Sequence, residues 1–201
     1  MLSLFCNVAE VDKAHTYKGV IAMVKEILGD HIVSSPKLLL TKSFNPAEFL
    51  GDDYIAWKGP ADGDGLMGEK DIDPRSLVFT EIDPAKFIFE TCLRDNERLI
   101  SGEERACRLK KENPKFIRFG GNVFTNLWKN YQVNKKNSVL EWIHLTFGVR
   151  FMEFQGLILR DPCGRRCVLC LGKRADDGWY WDEYLLDDLW SAGIPSVGYK
   201  L

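Results

Sequence analysis

Apolar positions recur along the chain in two periods, and each period predicts a different element. Over residues 12–28, Val20, Ile21, Val24, Ile27 and Leu28 fall on one side of a 3.6-residue repeat, and Gly29 supplies a stop. This predicts an amphipathic helix whose apolar stripe needs a partner, most commonly the rest of the same chain. The runs KLLLTK (37–42) and DYIAWK (53–58) read as short strands, and the Gly- and Asp-rich GPADGDGLMGEKDIDP after them reads as a loop. LVFTEI and KFIFET read either as two strands or as one strand leading into a helix. Ser101 with Glu104, and Ser138 with Glu141, are capping-box pairs, so helices are expected to open at both serines, the first running to about Lys111. Between them, Val123, Leu127, Trp128 and Tyr131 share one side of a helix over 122–132. The helix opening at Ser138 is expected to bury Leu140, Trp142 or Ile143, and Leu145 in part.

From residue 149 the period shortens to two. VRFMEFQGLILRD, the turn Asp161-Pro162-Cys163-Gly164, RRCVLCLGKR, the turn Ala175-Asp176-Asp177-Gly178 and WYWDEYLL predict an antiparallel meander. The chain thus reads as α+β, with a helical extension over 1–36 and one domain over 37–201.

The stretch 178–197 alternates two kinds of residue. Successive side chains of a strand point to opposite faces, so Trp179 and Trp181 can be buried together while Tyr180, Asp182 and Tyr184 project from the other side. Farther on, Asp188, Leu189, Ser191, Gly193 and Ile194 surround Trp190. Such a mixture of aromatic, small and polar residues suits a contact surface, where rigid rings supply area and small polar groups supply adaptable hydrogen bonds. An edge strand with a polar outer face has the same alternation.

The pattern W-x-W-x(8)-W-x-A-x-x-P formed by Trp179, Trp181, Trp190, Ala192 and Pro195 resembles the variable C-terminus of proteins diversified by diversity-generating retroelements. In that family an error-prone reverse transcriptase randomises adenines, so AAC codons vary while Trp codons, which lack adenine, do not. Changes in AAC give Tyr, Asp, Ser, Gly, Ile or Leu, the residues found at 180, 182, 188, 189, 191, 193 and 194. Less specific similarity extends upstream through residues 76–93, 101–111, 117–132 and 156–171. The resemblance implies a C-type-lectin-like fold with a variable region at about 179–197. It also implies a scaffold of Trp179, Trp181 and Trp190, and a ligand surface of Tyr180, Asp182, Tyr184, Asp188, Leu189, Ser191, Gly193 and Ile194. It implies a binding protein without cofactor or catalytic residues, whose ligand is a protein or cell-surface molecule. Two positions depart from the pattern: Glu183 cannot arise from AAC, and Leu185 stands where relatives often carry another Trp.

Composition fits this reading. With 201 residues, 45% of them hydrophobic, the chain can bury one good core. A net charge of −2 gives no electrostatic footprint for nucleic acid. No run is long and apolar enough to span a bilayer, and the first residues lack the basic start and apolar run of a secretory signal, so cytoplasmic synthesis is expected.

The rival chemistries are weaker. Cys163, Cys167 and Cys170 have the C-x3-C-x2-C spacing of an iron–sulfur site in radical enzymes that cleave S-adenosylmethionine. Strand alternation, however, sends Cys167 and Cys170 to opposite faces, so no metal is assigned there. Together with Cys6, Cys92 and Cys107 they read as reduced thiols rather than a disulfide framework. A copper-dependent oxidase built on a related fold would need a paired-thiol site with no support here. An assembly protein with a Trp-rich oligomer interface is a further alternative. Asp62 and Asp64 suggest a calcium loop, but Leu66 occupies the next ligand position. His15, His31 and His144 are scattered. The basic cluster Arg105, Arg108, Lys110, Lys111, Lys115 and Arg118 reads as a solvated helix face.

Overall fold

The computed structural model describes residues 35–175 and 178–200. The helix expected over 12–28, with Cys6, His15 and His31, lies outside the described residues, as do Asp176 and Asp177. The unit spanning Pro36–Leu201 is α+β.

Its elements in chain order begin with β1 (Leu38–Leu39), α1 (Pro46–Leu50) and β2 (Ile55–Ala56). After the loop come a short 3-10 helix (Pro74–Val78), β3 (Glu81–Ile82) and β4 (Ile88–Glu90), so both ambiguous runs resolve as short strands. β5 (Leu99–Ser101) leads directly into α2 (Gly102–Lys111), followed by β6 (Phe116–Arg118), α3 (Gly121–Val133) and α4 (Val139–Phe147). The last third forms β7 (Phe151–Glu153), β8 (Leu159–Arg160), β9 (Arg166–Arg174), β10 (Gly178–Leu185), β11 (Leu189–Ser191) and β12 (Ser196–Lys200).

The serine half of each capping box forms, while the glutamate side chains pair with Arg108 and Lys173 instead. Ser101 Oγ accepts from the Glu104 amide and Ser138 Oγ from the Glu141 amide, each at 3.2 Å. Gly148, at φ 68°, ends α4 in the left-handed conformation that glycine adopts without cost. Leu140 and Ile143 are fully buried, but Leu145 lies on the solvent side of α4 at 80% exposure, against the expectation of partial burial.

The main sheet runs β2-β8-β9-β7-β12-β4, with β10 added to β9 and β6 to β12. Its pairs are antiparallel except for one parallel contact between β12 and β7 at Ser196 and Glu153, so the sheet is mixed rather than purely antiparallel. The run read as a single strand over 149–161 is broken at Phe154–Leu157. There the Gly156 amide donates to Phe119 O and its carbonyl accepts from Asp73, and a Cβ at Gly156 would lie 2.2 Å from Arg118 O. α3 and α4 cover one face of the sheet and bury Phe124, Leu127, Leu140 and Ile143 against Met152, Leu169 and Leu171. The other face carries a smaller apolar cluster of Trp57, Ile158, Val168, Cys170, Leu186 and Trp190.

The basic cluster departs most from its sequence reading. Arg105 is fully buried, and Arg108 and Arg118 are 7% exposed. Each has a carboxylate partner: Arg105 pairs with Glu153, Arg108 with Glu97 and Glu104, and Arg118 with Asp73. Burial without solvation requires such pairing, because an unpaired guanidinium inside a core is prohibitively costly.

Candidate ligand-binding surface

β9 and β10 pair over the full length of β10, from Gly178↔Arg174 to Leu185↔Cys167. Alternation therefore sorts the β10 side chains onto two faces. Trp179 and Leu185 point into the core beneath α3 and α4. Trp181 shares that side but is 37% exposed, which corrects the expectation that it is buried with Trp179. The reason is local: the five-residue α1 is a short roof, and its Phe49 ring covers one edge of the indole at 5.1 Å between centroids. α3 holds the segment leading into α1, since Asn122 and Asn126 accept from the Phe44 and Thr41 amides.

The two departures from the variable pattern lie on this inward side. Glu183 Oε1 accepts a 2.7 Å hydrogen bond from the Tyr54 hydroxyl. Burial, followed by that hydrogen bond and the Glu183 charge, pushes the Tyr54 phenol well up. Leu185 packs against the main core. Both residues are built into the fold.

Tyr180, Asp182 and Tyr184 project from the opposite face. Tyr180 rests on Gly172, where a Cβ would come within 2.6 Å of its ring, and the Arg174 guanidinium lies 4.5 Å from the ring centroid. Tyr184 packs edge-on against Phe151 at 5.1 Å. Burial pushes its phenol up, and the neighbouring Tyr180, Cys170, Asp182 and Asp188 push the same way. Asp182 is exposed, and its Oδ1 accepts from the Glu183 amide at 2.9 Å.

Beyond β10 the chain turns through Leu186 into β11, which pairs with β5: Leu189↔Ser101, Trp190↔Ile100 and Ser191↔Leu99. Trp190 is 1% exposed and fits against Gly102, where a Cβ would be 2.5 Å from the indole. Leu189 is 65% exposed, Asp188 and Gly193 are exposed, and Ser191 and Ile194 are half-buried. Leu99, 51% exposed, sits diagonally from Leu189 on the open face of this two-stranded sheet and extends the apolar patch.

Main-chain groups hold this segment. The first two amides of α2 donate to it, Gly102 to Asp188 O at 3.2 Å and Glu103 to Leu186 O at 2.8 Å. Arg105, one turn into α2, donates from Nη1 to Ile194 O and from Nη2 to Ser191 O, the latter at 3.3 Å. Its guanidinium lies 5.3 Å from the Trp190 ring centroid. Glu153 completes the arrangement: its amide donates to Pro195 O at 3.0 Å, and its carboxylate accepts from Arg105, Gln155 and Ser196. Burial pushes the Glu153 carboxyl up to about 7, against the opposing pull of Arg105, Ser196 and Gln155.

Sequence reasoning missed Arg105, Glu153, Leu99 and Phe151. For Arg105 a signal existed, because it stands between Gly102 and Leu109 on the side of α2 that also carries Ala106, which is the buried side. For Glu153 there was none, because its partner lies 48 residues away.

The cysteines do not converge. Cys163 is exposed in the turn before β9, Cys167 enters the main core and Cys170 the smaller cluster on the other face. Burial pushes both buried thiols up, away from the thiolate a metal requires. His144 bonds through Nδ1 to Val149 O, a local contact at the end of α4. A shallow hollow lined by Tyr131, Lys135, Lys136, Glu141 and Gly178 lies at the far end of the β9–β10 hairpin from Tyr184. No described helix is long and apolar enough to cross a membrane.

Comparison of the chain with protein-family models, with curated proteins and with solved structures gave no match.

Proposed function

We propose that this chain is a receptor-like binding protein of the retroelement-diversified class. In this reading it is non-enzymatic, and Tyr180, Asp182, Tyr184, Asp188, Leu189, Ser191, Gly193 and Ile194 contact the ligand from a C-type-lectin-like domain. The observation that carries the reading is the division of labour between side chain and main chain in residues 178–196. All eight residues, seven of them with side chains, are exposed or half-buried, whereas the segment from Leu186 to Pro195 is held by its carbonyls, on Gly102, Glu103, Arg105 and Glu153. With Trp190 fixed, a backbone held in that way depends on the proposed contact side chains at one point, the Ser191 Oγ that accepts from the Gly193 amide, and such near-independence is what a diversified surface requires.

The present set is aromatic and acidic: Tyr180 and Tyr184 flank Asp182 on one strand face, and the exposed Asp187 and Asp188 follow. Such a surface favours a partner protein or cell-surface molecule with cationic groups, which aromatic faces and carboxylates attract together.

Sequencing the 3′ end of the gene across a population, with a search of neighbouring DNA for a near-copy and a reverse transcriptase, tests the proposal. Variation confined to codons 180–194, sparing Trp181 and Trp190, is the expected result. A uniform sequence with no near-copy overturns it.

A further inference from the structure

The outer edge of β10 has a feature that the binding surface does not use. Among the described residues β10 pairs with β9 on one side and with no strand on the other. In an antiparallel pair, alternate residues turn their N–H and C=O groups toward the partner. On β9, Leu169 O accepts from Phe154 and the Lys173 amide donates to Arg150 O, so the odd-numbered residues face away from β10. The residues bonded to β10 are therefore 168, 170, 172 and 174, which stand opposite Tyr184, Asp182, Tyr180 and Gly178. It follows that Trp179, Trp181 and Glu183 present their peptide groups at the edge that no described strand covers.

Two of those three amides are already occupied by side chains. The Trp179 amide donates to the Tyr131 hydroxyl at 3.1 Å, and the Glu183 amide donates to Asp182 Oδ1 at 2.9 Å. Among the described residues no bond takes the amide of Trp181 between them. An open edge of this length is a template for another strand, and proteins blunt such edges with charged or hydrogen-bonding side chains.

We infer that the Asp182 carboxylate keeps β10 from pairing with a second copy of this chain, and that a residue at 182 without a side-chain acceptor opens the edge to self-association. The register suits a second copy. An antiparallel arrangement about a two-fold axis at Trp181 sets residue 179 against 183 and residue 180 against 182, with no like charges opposed; the Trp179 amide stays with Tyr131, and the Trp181 amide and the Glu183 amide freed from Asp182 donate to the Trp181 and Trp179 carbonyls of the second copy. The inference stands on hydrogen bonding at a strand edge and does not depend on the diversified-surface reading. If position 182 does vary, each residue drawn there sets the association state as well as the contact surface.

Light scattering during size exclusion, over a range of protein concentrations, tests it with three variants of the full chain. Asp182→Ala is expected to double the mass of the wild-type species as concentration rises. Asp182→Asn, which keeps an acceptor oxygen beside the Glu183 amide, should behave as wild type. Asp182→Ala combined with Glu183→Pro should revert, since proline removes the edge donor and is tolerated where the N–H faces outward. Amide exchange of Trp181 and Glu183 in Asp182→Ala supplies a second readout should the proline variant not fold: both should slow as concentration rises. An Asp182→Ala protein with wild-type mass at every concentration overturns the inference. So does equal association of the Ala and Asn variants, or association without protection of those two amides.

Discussion

Arg105 and Ser191 meet through a main-chain oxygen: the buried guanidinium donates from Nη2 to the Ser191 carbonyl at 3.3 Å, and its Nη1 reaches Ile194 O and Glu153. One side chain thereby links the start of α2, a carboxylate on β7 and the segment that enters β12. Replacing it should be costly in a particular way. Arg105→Met leaves the buried Glu153 without its cation and the Ser191 and Ile194 carbonyls without their donor, and should destabilise by about 3–5 kcal/mol. The double variant Arg105→Met, Glu153→Met leaves neither side chain without its buried partner and should recover part of that loss. Denaturant melts of the two single variants and the double variant check this, and additive losses would contradict the coupling.

The Glu153 carboxyl gives the fold a pH dependence with a definite sign. Its pKa in the folded protein is about 7 against an ordinary 4.5, so the native state holds this proton more tightly than the unfolded chain. Its contribution to stability is therefore fully present below about 4.5 and is lost as pH rises through about 7. Glu153→Gln cannot titrate. The stability difference between wild type and Glu153→Gln should shift against wild type as pH rises across that window, and urea midpoints measured at several pH values would reveal a constant difference if the assignment is wrong.

Exposure divides the aromatic frame from the proposed contact residues. Trp190→Ala removes a side chain that is 1% exposed and should cost about 3–5 kcal/mol. Trp181, 37% exposed and roofed by Phe49 alone among the ring contacts described, should cost less, roughly 1–2 kcal/mol. Asp188→Ala and Leu189→Ala should each stay within about 0.5 kcal/mol. Thermal and denaturant melts order the four, and equal losses at Trp190 and Leu189 would remove the distinction between frame and surface.

Gly102 sits where helix propensity and packing conflict. Alanine is the better helix former by about 1 kcal/mol. Here its Cβ would lie 2.5 Å from the Trp190 indole and 2.9 Å from the Leu186 backbone. Packing should win, so Gly102→Ala should destabilise by about 1–3 kcal/mol and alter the near-ultraviolet signal of Trp190. A stabilised variant would show that β11 can move away from α2 without cost.

What could be read from sequence was what is local. Ser101 and Ser138 announce their helices within four residues, and the turn at Asp161–Gly164 and the sorting of β10 side chains follow from spacing alone. What could not be read depends on distant partners. A basic cluster looks solvated until Glu153, Glu97 and Asp73 are brought to it. Trp181 looks like core until the roof above it proves to be a single short turn. The break between β7 and β8 exists because Gly156 must pass against Arg118 and Phe119, residues that no local pattern connects to it. At the candidate surface the alternating residues were legible, and the groups that hold their backbone were not.

Gly102, Glu103, Arg105 and Glu153 grip residues 186–195 by carbonyl oxygens, which every amino acid possesses, so on the proposed reading the segment is a socket with interchangeable contents. A library randomised at 188, 189, 191, 193 and 194 on this chain should therefore yield mostly folded members, and selections from it would report on recognition with little interference from folding.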